Sequence, residues 1–266
     1  MERIKETLNN LGLKGLGQVL ESQTEYTCLI CHDRGWLHPT IDGKIDYGQV
    51  IRCRCRLDVD RGEKQRILLK LCALPAMTEH KTFDNFKTFN DRVLTEVFRY
   101  CREIANKSDS IRFLTMIAES GRGKSHMGIA ICREWLSREE AAAYVNVPRM
   151  LNSLREGYSL EGEESFYRRL HFYSSVGLLV LDDFGTEKVT EWGAEQLQTI
   201  INSRYDDALY TVVTSNRPID DLLNYRDYPK EQWRDYANMR IESRLKRESW
   251  CKVLLLDTKS YMERRK

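Results

Sequence analysis

The sequence lacks long apolar runs. In its 266 residues the longest purely aliphatic stretches, 178–181 and 253–256, are four residues each. A membrane-spanning helix needs about 20 apolar residues, so none is expected. The first residues, MERIKETLNNLGLKG, hold no apolar h-region, which argues against a secretory signal and for a cytoplasmic protein. Charge of one sign is also scarce: 42 Lys and Arg stand against 40 Asp and Glu. Any case for nucleic acid must therefore be local. No internal repeat and no low-complexity tract occurs. The 41% apolar content suffices to close a core, which excludes wholesale disorder. At roughly 150 residues per domain, the length allows one or two domains.

What is present begins with eight cysteines. Cys72, Cys101, Cys132 and Cys251 lie among apolar neighbours and read as small buried hydrophobes. Cys28, Cys31, Cys53 and Cys55 form two close pairs around the stretch GWLHPTIDGKIDYG. Without a secretory signal, such pairs read as metal ligands rather than disulfides. Four thiolates can close a tetrahedral structural Zn²⁺ site, and a turn near Asp42-Gly43 would give the excursion between the pairs a ribbon shape. A segment this small would take much of its stability from the metal. His32 and His38 are alternative ligands, and free thiols or redox chemistry are the competing readings.

The rest of the chain is organised by periodicity. Ile4, Leu8, Leu11, Leu13, Leu16 and Leu20 predict an amphipathic helix within 1–20, interrupted by glycines. Residues 57–80 predict a charged helical linker, with Pro75 as its stop. Seven Lys and Arg against three Asp and Glu in 52–70 suit a solvated face or a binding face. From about residue 90, helices expected over 91–106, 124–140, 148–157 and 191–204 alternate with strands over 111–118, 142–147, 176–181 and 210–214. That alternation predicts an α/β fold with a parallel sheet flanked by helices. The expected division is a zinc module over 1–56, a linker over 57–80 and a nucleotide-binding domain over 81–266.

The strand 111–118 runs into Glu119-Ser120-Gly121-Arg122-Gly123-Lys124-Ser125-His126, and a helix follows. Strand, glycine turn, Lys-Ser and helix make a P-loop. Its backbone N–H groups and the helix N-terminus suit phosphate, Lys124 would reach the β- and γ-phosphates, and Ser125 would ligate Mg²⁺. The first position of the pattern is Ala118 rather than Gly. The strand 178–181 ends in Asp182-Asp183, the edge at which open α/β sheets bind ligands. Asp182 is the candidate for Mg²⁺, and Asp183 for orienting or deprotonating the attacking water. The strand 210–214 leads to Asn216, a candidate partner of that water or of the γ-phosphate. Arg240 and Arg244 stand in RIESRL, where an arginine can complete a neighbour's site, or simply form surface ion pairs.

Together TFDNF (82–86), ESGRGKSHMGIAI (119–131), LLVLDDFG (178–185), INSRYDDALYTVVTSN (201–216) and RIESRL (240–245) resemble AAA+ ATPases of the DnaC/DnaI helicase-loader group, and also IstB-type transposition ATPases. The resemblance covers roughly residues 75–256. It implies a P-loop AAA+ fold and ATP-dependent loading of a DnaB-type replicative helicase on single-stranded DNA, with assembly into a homo-oligomer. Fewer residues than a full lid domain needs follow Arg244. The resemblance assigns Lys124 and Ser125 to Walker A, Asp182 and Asp183 to Walker B, Asn216 to sensor 1 and Arg244 to the arginine finger, with Arg240 as second candidate. It puts Phe83 and Phe86 near the adenine, and Arg149, Arg155, Tyr158, Lys188, Thr190 and Trp192 against DNA. It implies that the zinc module docks on the helicase. The rival functions are a transposition ATPase and a non-hydrolysing ATP-binding adaptor.

Overall fold

The computed structural model describes residues 26–41, 43–160, 163–186, 190–223, 231–261 and 263–265. The predicted helix within 1–20 lies outside them, as does Lys188. The chain divides into two units, Met1–Glu63 and Lys64–Lys266. Among the described residues no helix is long and apolar enough to cross a membrane.

In the first unit, β1 (Trp36–Leu37) pairs antiparallel with β4 (Ile51–Arg52), and β2 (Thr40–Ile41) with β3 (Lys44–Ile45). The β2–β3 connection is the expected turn, with Gly43 at φ +77°, a conformation glycine adopts without penalty. Helix α1 spans Arg54–Cys72. It starts earlier than the predicted linker helix, so that Cys55 is helical, and ends before Ala73, which is left-handed at φ +52°. The chain has thus left the helix before Pro75.

The second unit is a five-stranded parallel sheet. Its strands are β5 (Phe113–Ile117), β6 (Ala142–Asn146), β7 (Leu178–Phe184), β8 (Tyr210–Ser215) and β9 (Cys251–Leu255), in the order β6-β7-β8-β5-β9. Helices cover both faces: α2 (Arg92–Ala105), α3 (Lys124–Ser137), α4 (Val147–Leu160), α5 (Glu163–Ser175), α6 (Glu191–Asp206) and α7 (Glu231–Lys246). Alternate strand residues feed two cores. Leu114, Met116, Leu178, Val180 and Val212 pack on one face, and Phe113, Ile117, Leu179, Leu181 and Val213 on the other. This is why the β7 sequence is apolar without alternation.

Local chemistry sets the helix ends. Asp91 Oδ1 accepts from the N–H groups of Val93 (2.9 Å) and Leu94 (3.2 Å), which caps α2. Thr190 caps α6 through the Gly193 N–H. Gly128 lets α3 lie close on the sheet, since a Cβ there would come within 2.9 Å of Val180 Cγ1. Among the described residues Arg204 is a fully buried cation, donating to Thr211 Oγ1 and to the carbonyls of Tyr173, Val176 and Tyr210. Burial lowers its pKa to about 9, so it stays charged at neutral pH.

Candidate nucleotide site

The connections leaving β5 and β8 run to opposite sides of the sheet, β5 to β6 and β8 to β9. The gap between such neighbouring strands is where open α/β sheets hold ligands. The predicted phosphate loop and Asn216 both leave the sheet there. The loop turns at Gly121 (φ +77°) and Gly123 (φ +92°), and α3 begins at Lys124. A side chain at Gly123 would also strike Phe86, whose Cε2 lies 2.8 Å from the Cβ position. Ala118 is the last step of β5's pairing, its N–H donating to Ser215 O at 3.0 Å. It is not among the left-handed residues, so its backbone does not call for glycine.

Lys124 is buried, and Nζ donates to Ala118 O (2.7 Å), Glu119 O (2.8 Å) and Asn216 Oδ1 (2.7 Å). Burial draws its pKa down, and the carboxylates of Asp182 and Asp183 oppose that shift. Ser125 Oγ donates to Asp182 Oδ1 at 3.1 Å. Asp182 is only 4% exposed. It also accepts from the hydroxyls of Thr214 (2.5 Å) and Tyr144. Burial, then the nearby Asp182 carboxylate, pushes the Tyr144 pKa far up, so this phenol keeps the proton it donates to Asp182.

The two acids face different ways, as successive strand residues do, and β7 is irregular at this step. Its register with β8 shifts between Leu181 and Phe184, and Asp183 takes φ +59°. Such irregularities re-aim side chains, and Asp tolerates the left-handed region better than most residues. Asp183 N–H donates to Thr214 Oγ1 at 3.1 Å, and its carboxylate accepts from Asn146 Nδ2 at 3.0 Å. Burial, then the neighbouring Asp182 charge, raises its pKa. A cleft of about 310 Å³ is lined by Asp183, Asn216, the loop from Ser120 to His126, Lys81 and Tyr261. Tyr144, Asn146 and Tyr261 were not in the sequence reading. The first two have a signal in hindsight, a polar ending to an otherwise apolar strand; Tyr261 has none.

Of the other predicted residues, some flank the cleft and some lie away from it. Arg122 pairs with Glu119 (2.8 Å) at the loop. His126 Nε2–H donates to Thr82 O at 2.8 Å, and burial lowers its pKa. Phe86 packs on His126 at 5.3 Å, whereas Phe83 turns into the core against Phe98 at 5.5 Å. Arg244 and Arg240 line a separate groove with Asn202 and Arg247, and the Arg244 guanidinium lies 4.5 Å from the centre of the Tyr205 ring. Arg155 reaches Thr190 Oγ1 (3.5 Å) and covers Trp192, while Arg149 lines a groove beside Tyr144 and Asn146. Tyr158 falls on α4, and its side chain is not among those described.

In the first unit the sulfurs of Cys28, Cys31, Cys53 and Cys55 lie within 4.8 Å of one another. Cys28 and Cys53 are 3.8 Å apart, and Cys31 and Cys55 are 3.4 Å apart. A tetrahedron of thiolates at about 2.3 Å from zinc has edges of about 3.8 Å, so the donor set fits that ion. Backbone N–H groups of Cys31 and Ile30 hold the Cys28 thiol down at about 7.

Known proteins resemble this chain in sequence and in fold. The replicative helicase loader DnaI of Bacillus subtilis is 24% identical over 197 residues, 72% of this chain and 62% of its own length. An ATP-binding protein of insertion sequence IS5376 from Geobacillus stearothermophilus is 27% identical over 167 residues, 60% of this chain and 63% of its own. This chain therefore spans less than two thirds of either relative. Among solved structures, a crystal structure of DnaI superposes with a TM-score of 0.55 at 19% identity, covering 71% of this chain and 94% of that one. That likeness is one of fold, the AAA+ fold. Residues 56–225 match the family described as IstB-like ATP binding protein, more than half of the sequence, and the chain belongs to that family.

Proposed function

We propose that this protein is an ATP-hydrolysing loader that places a DnaB-type replicative helicase on single-stranded DNA. The observation that carries the reading is the meeting of Lys124, Ser125, Asp182, Asp183 and Asn216 between β5 and β8. The loop N–H groups and Lys124 bind the triphosphate, Lys124 exchanging carbonyl acceptors for phosphate oxygens. Ser125 and Asp182, already 3.1 Å apart, are the residues to hold Mg²⁺, which would neutralise charge on the phosphates. Asp183 takes a proton from the attacking water, and its raised pKa suits it to that task. Asn216 orients that water or the γ-phosphate. Arg244, or Arg240 as second candidate, would complete the site of an adjacent copy in a homo-oligomer, and its distance from this chain's own cleft is consistent with that. Arg149, Arg155, Tyr158, Lys188, Thr190 and Trp192 are the proposed DNA contacts, mixing cations with aromatic surface.

The four cysteines hold a structural Zn²⁺, and the first unit docks on the helicase. The similarity to DnaI supports that partner. Co-purification with a DnaB-type hexamer, with and without ATP, tests it. No retention in either condition, with phosphate release unaffected by single-stranded DNA, sinks the loader reading.

A second reading is a transposition ATPase, favoured by the match to the insertion-sequence protein. Retention by the cognate transposase instead of the helicase would establish it.

A further inference from the structure

The cleft is lined by Lys124, Asp183 and Asn216, and also by Lys81, His126 and Tyr261. Phe86 and Tyr261 both overlie Gly123: a Cβ there would sit 2.8 Å from Phe86 Cε2 and 3.3 Å from Tyr261 Cε2. Aromatic surface thus begins where the phosphate-binding turn stops. The Tyr261 ring packs 5.4 Å from Phe86 and 5.3 Å from Phe89.

The segment that carries Tyr261 is tied down from both sides. Tyr261 N–H donates to Gly121 O at 3.0 Å, within the phosphate loop itself. Its hydroxyl donates to Lys87 O at 2.5 Å. Before it, Thr258 donates to Asp91 Oδ2 at 2.6 Å, and after it Arg264 reaches the same oxygen at 2.5 Å. Glu263 accepts from Ser260 N–H at 2.7 Å and approaches Arg122 of the loop at 3.9 Å. With the hydroxyl engaged on Lys87, the ring has only its π-surface to offer a ligand, so it discriminates by stacking area.

We propose that residues 257–261 form a strap that builds the nucleobase subsite, with the Tyr261 ring as the wall on which a purine stacks. This rests on the nucleotide reading of the cleft and adds a specificity residue to it.

The test is calorimetric titration of the full chain with Mg-ATP and with Mg-CTP, comparing wild type, Tyr261→Ala, Tyr261→Phe and Lys124→Ala. Wild type should prefer ATP. Tyr261→Ala should weaken ATP about tenfold and CTP at most about threefold, compressing the preference, as loss of one stacking contact does. Tyr261→Phe should keep the wild-type ratio, since the hydroxyl serves the backbone and not the base. Equal losses for both nucleotides, no loss of ATP binding, or a Phe variant as weak as Ala would overturn the wall. ATP binding unchanged in Lys124→Ala would overturn the nucleotide reading of the cleft instead.

Discussion

Asp183 joins an uncommon backbone conformation, at the irregular step in β7, to a pKa raised by burial and by the Asp182 charge. If it is the base, Asp183→Asn should lower turnover by about 100-fold or more while ATP still binds. A titration that finds ATP binding lost as completely as turnover would assign it a structural role. Its pKa is raised and the base must be deprotonated. The acid limb of the pH–rate profile should therefore lie above the ordinary carboxylate range, with activity falling as pH drops through it. Asp91 behaves oppositely. The Thr258 hydroxyl, aided by Arg264 and the Leu94 N–H, holds its carboxyl down at about 2. A depressed carboxylate stabilises the fold fully above its unfolded value of roughly 3.9, and that contribution fades as pH falls towards 2. Asp91→Ala should cost about 1 kcal/mol at neutral pH through the lost helix cap alone, and should flatten this acid dependence in urea unfolding.

At the scale of elements, α3 and the sheet are held close by one missing side chain. Gly128→Val would drive a branched side chain into Val180 on β7, and the gain of a few tenths of a kcal/mol in helix propensity is too small to offset it. About 1–3 kcal/mol of destabilisation is expected from urea melts. An unchanged midpoint would mean that the helix can lift without cost. The parallel sheet was legible because β5, β7 and β8 are short apolar runs between helical periods. Helices α5 and α7 and strand β9 were not. Helix α5 buries Phe166, while Leu170, Phe172 and Tyr173 are only partly buried against the core and Tyr167 is exposed, so no clean apolar period stands out. Strand β9 was visible only as an aliphatic run, because it is an edge strand whose Leu255 is 66% exposed. The P-loop and the acid pair could be read from spacing, since their chemistry demands adjacent residue types. Tyr144, Asn146 and Tyr261 could not, because only tertiary packing brings strand β6 to Asp182 and residue 261 to Gly121.

For the whole molecule, two units imply two separable stabilising ligands. Purified chain should carry one zinc, and Cys28→Ser or Cys55→Ser should lose it in metal analysis. Mg-ATP at 100 times its Kd should stabilise the second unit by about 2.7 kcal/mol. Removing the zinc with a zinc-selective chelator, with Mg²⁺ kept in excess, should leave that ATP-dependent shift in place. Its disappearance under those conditions would show that the cysteine cluster supports the nucleotide site. A last consequence follows from the buried guanidinium of Arg204, which clasps carbonyls at Tyr173, Val176 and Tyr210 from its seat on α6. Strand β8, whose far end delivers Asn216, is thereby riveted to α6 and to the exit of α5. A tug on Asn216 from the γ-phosphate would travel as a shift of this girder in one piece, and amide exchange along α6 and β8 should slow together when nucleotide is added.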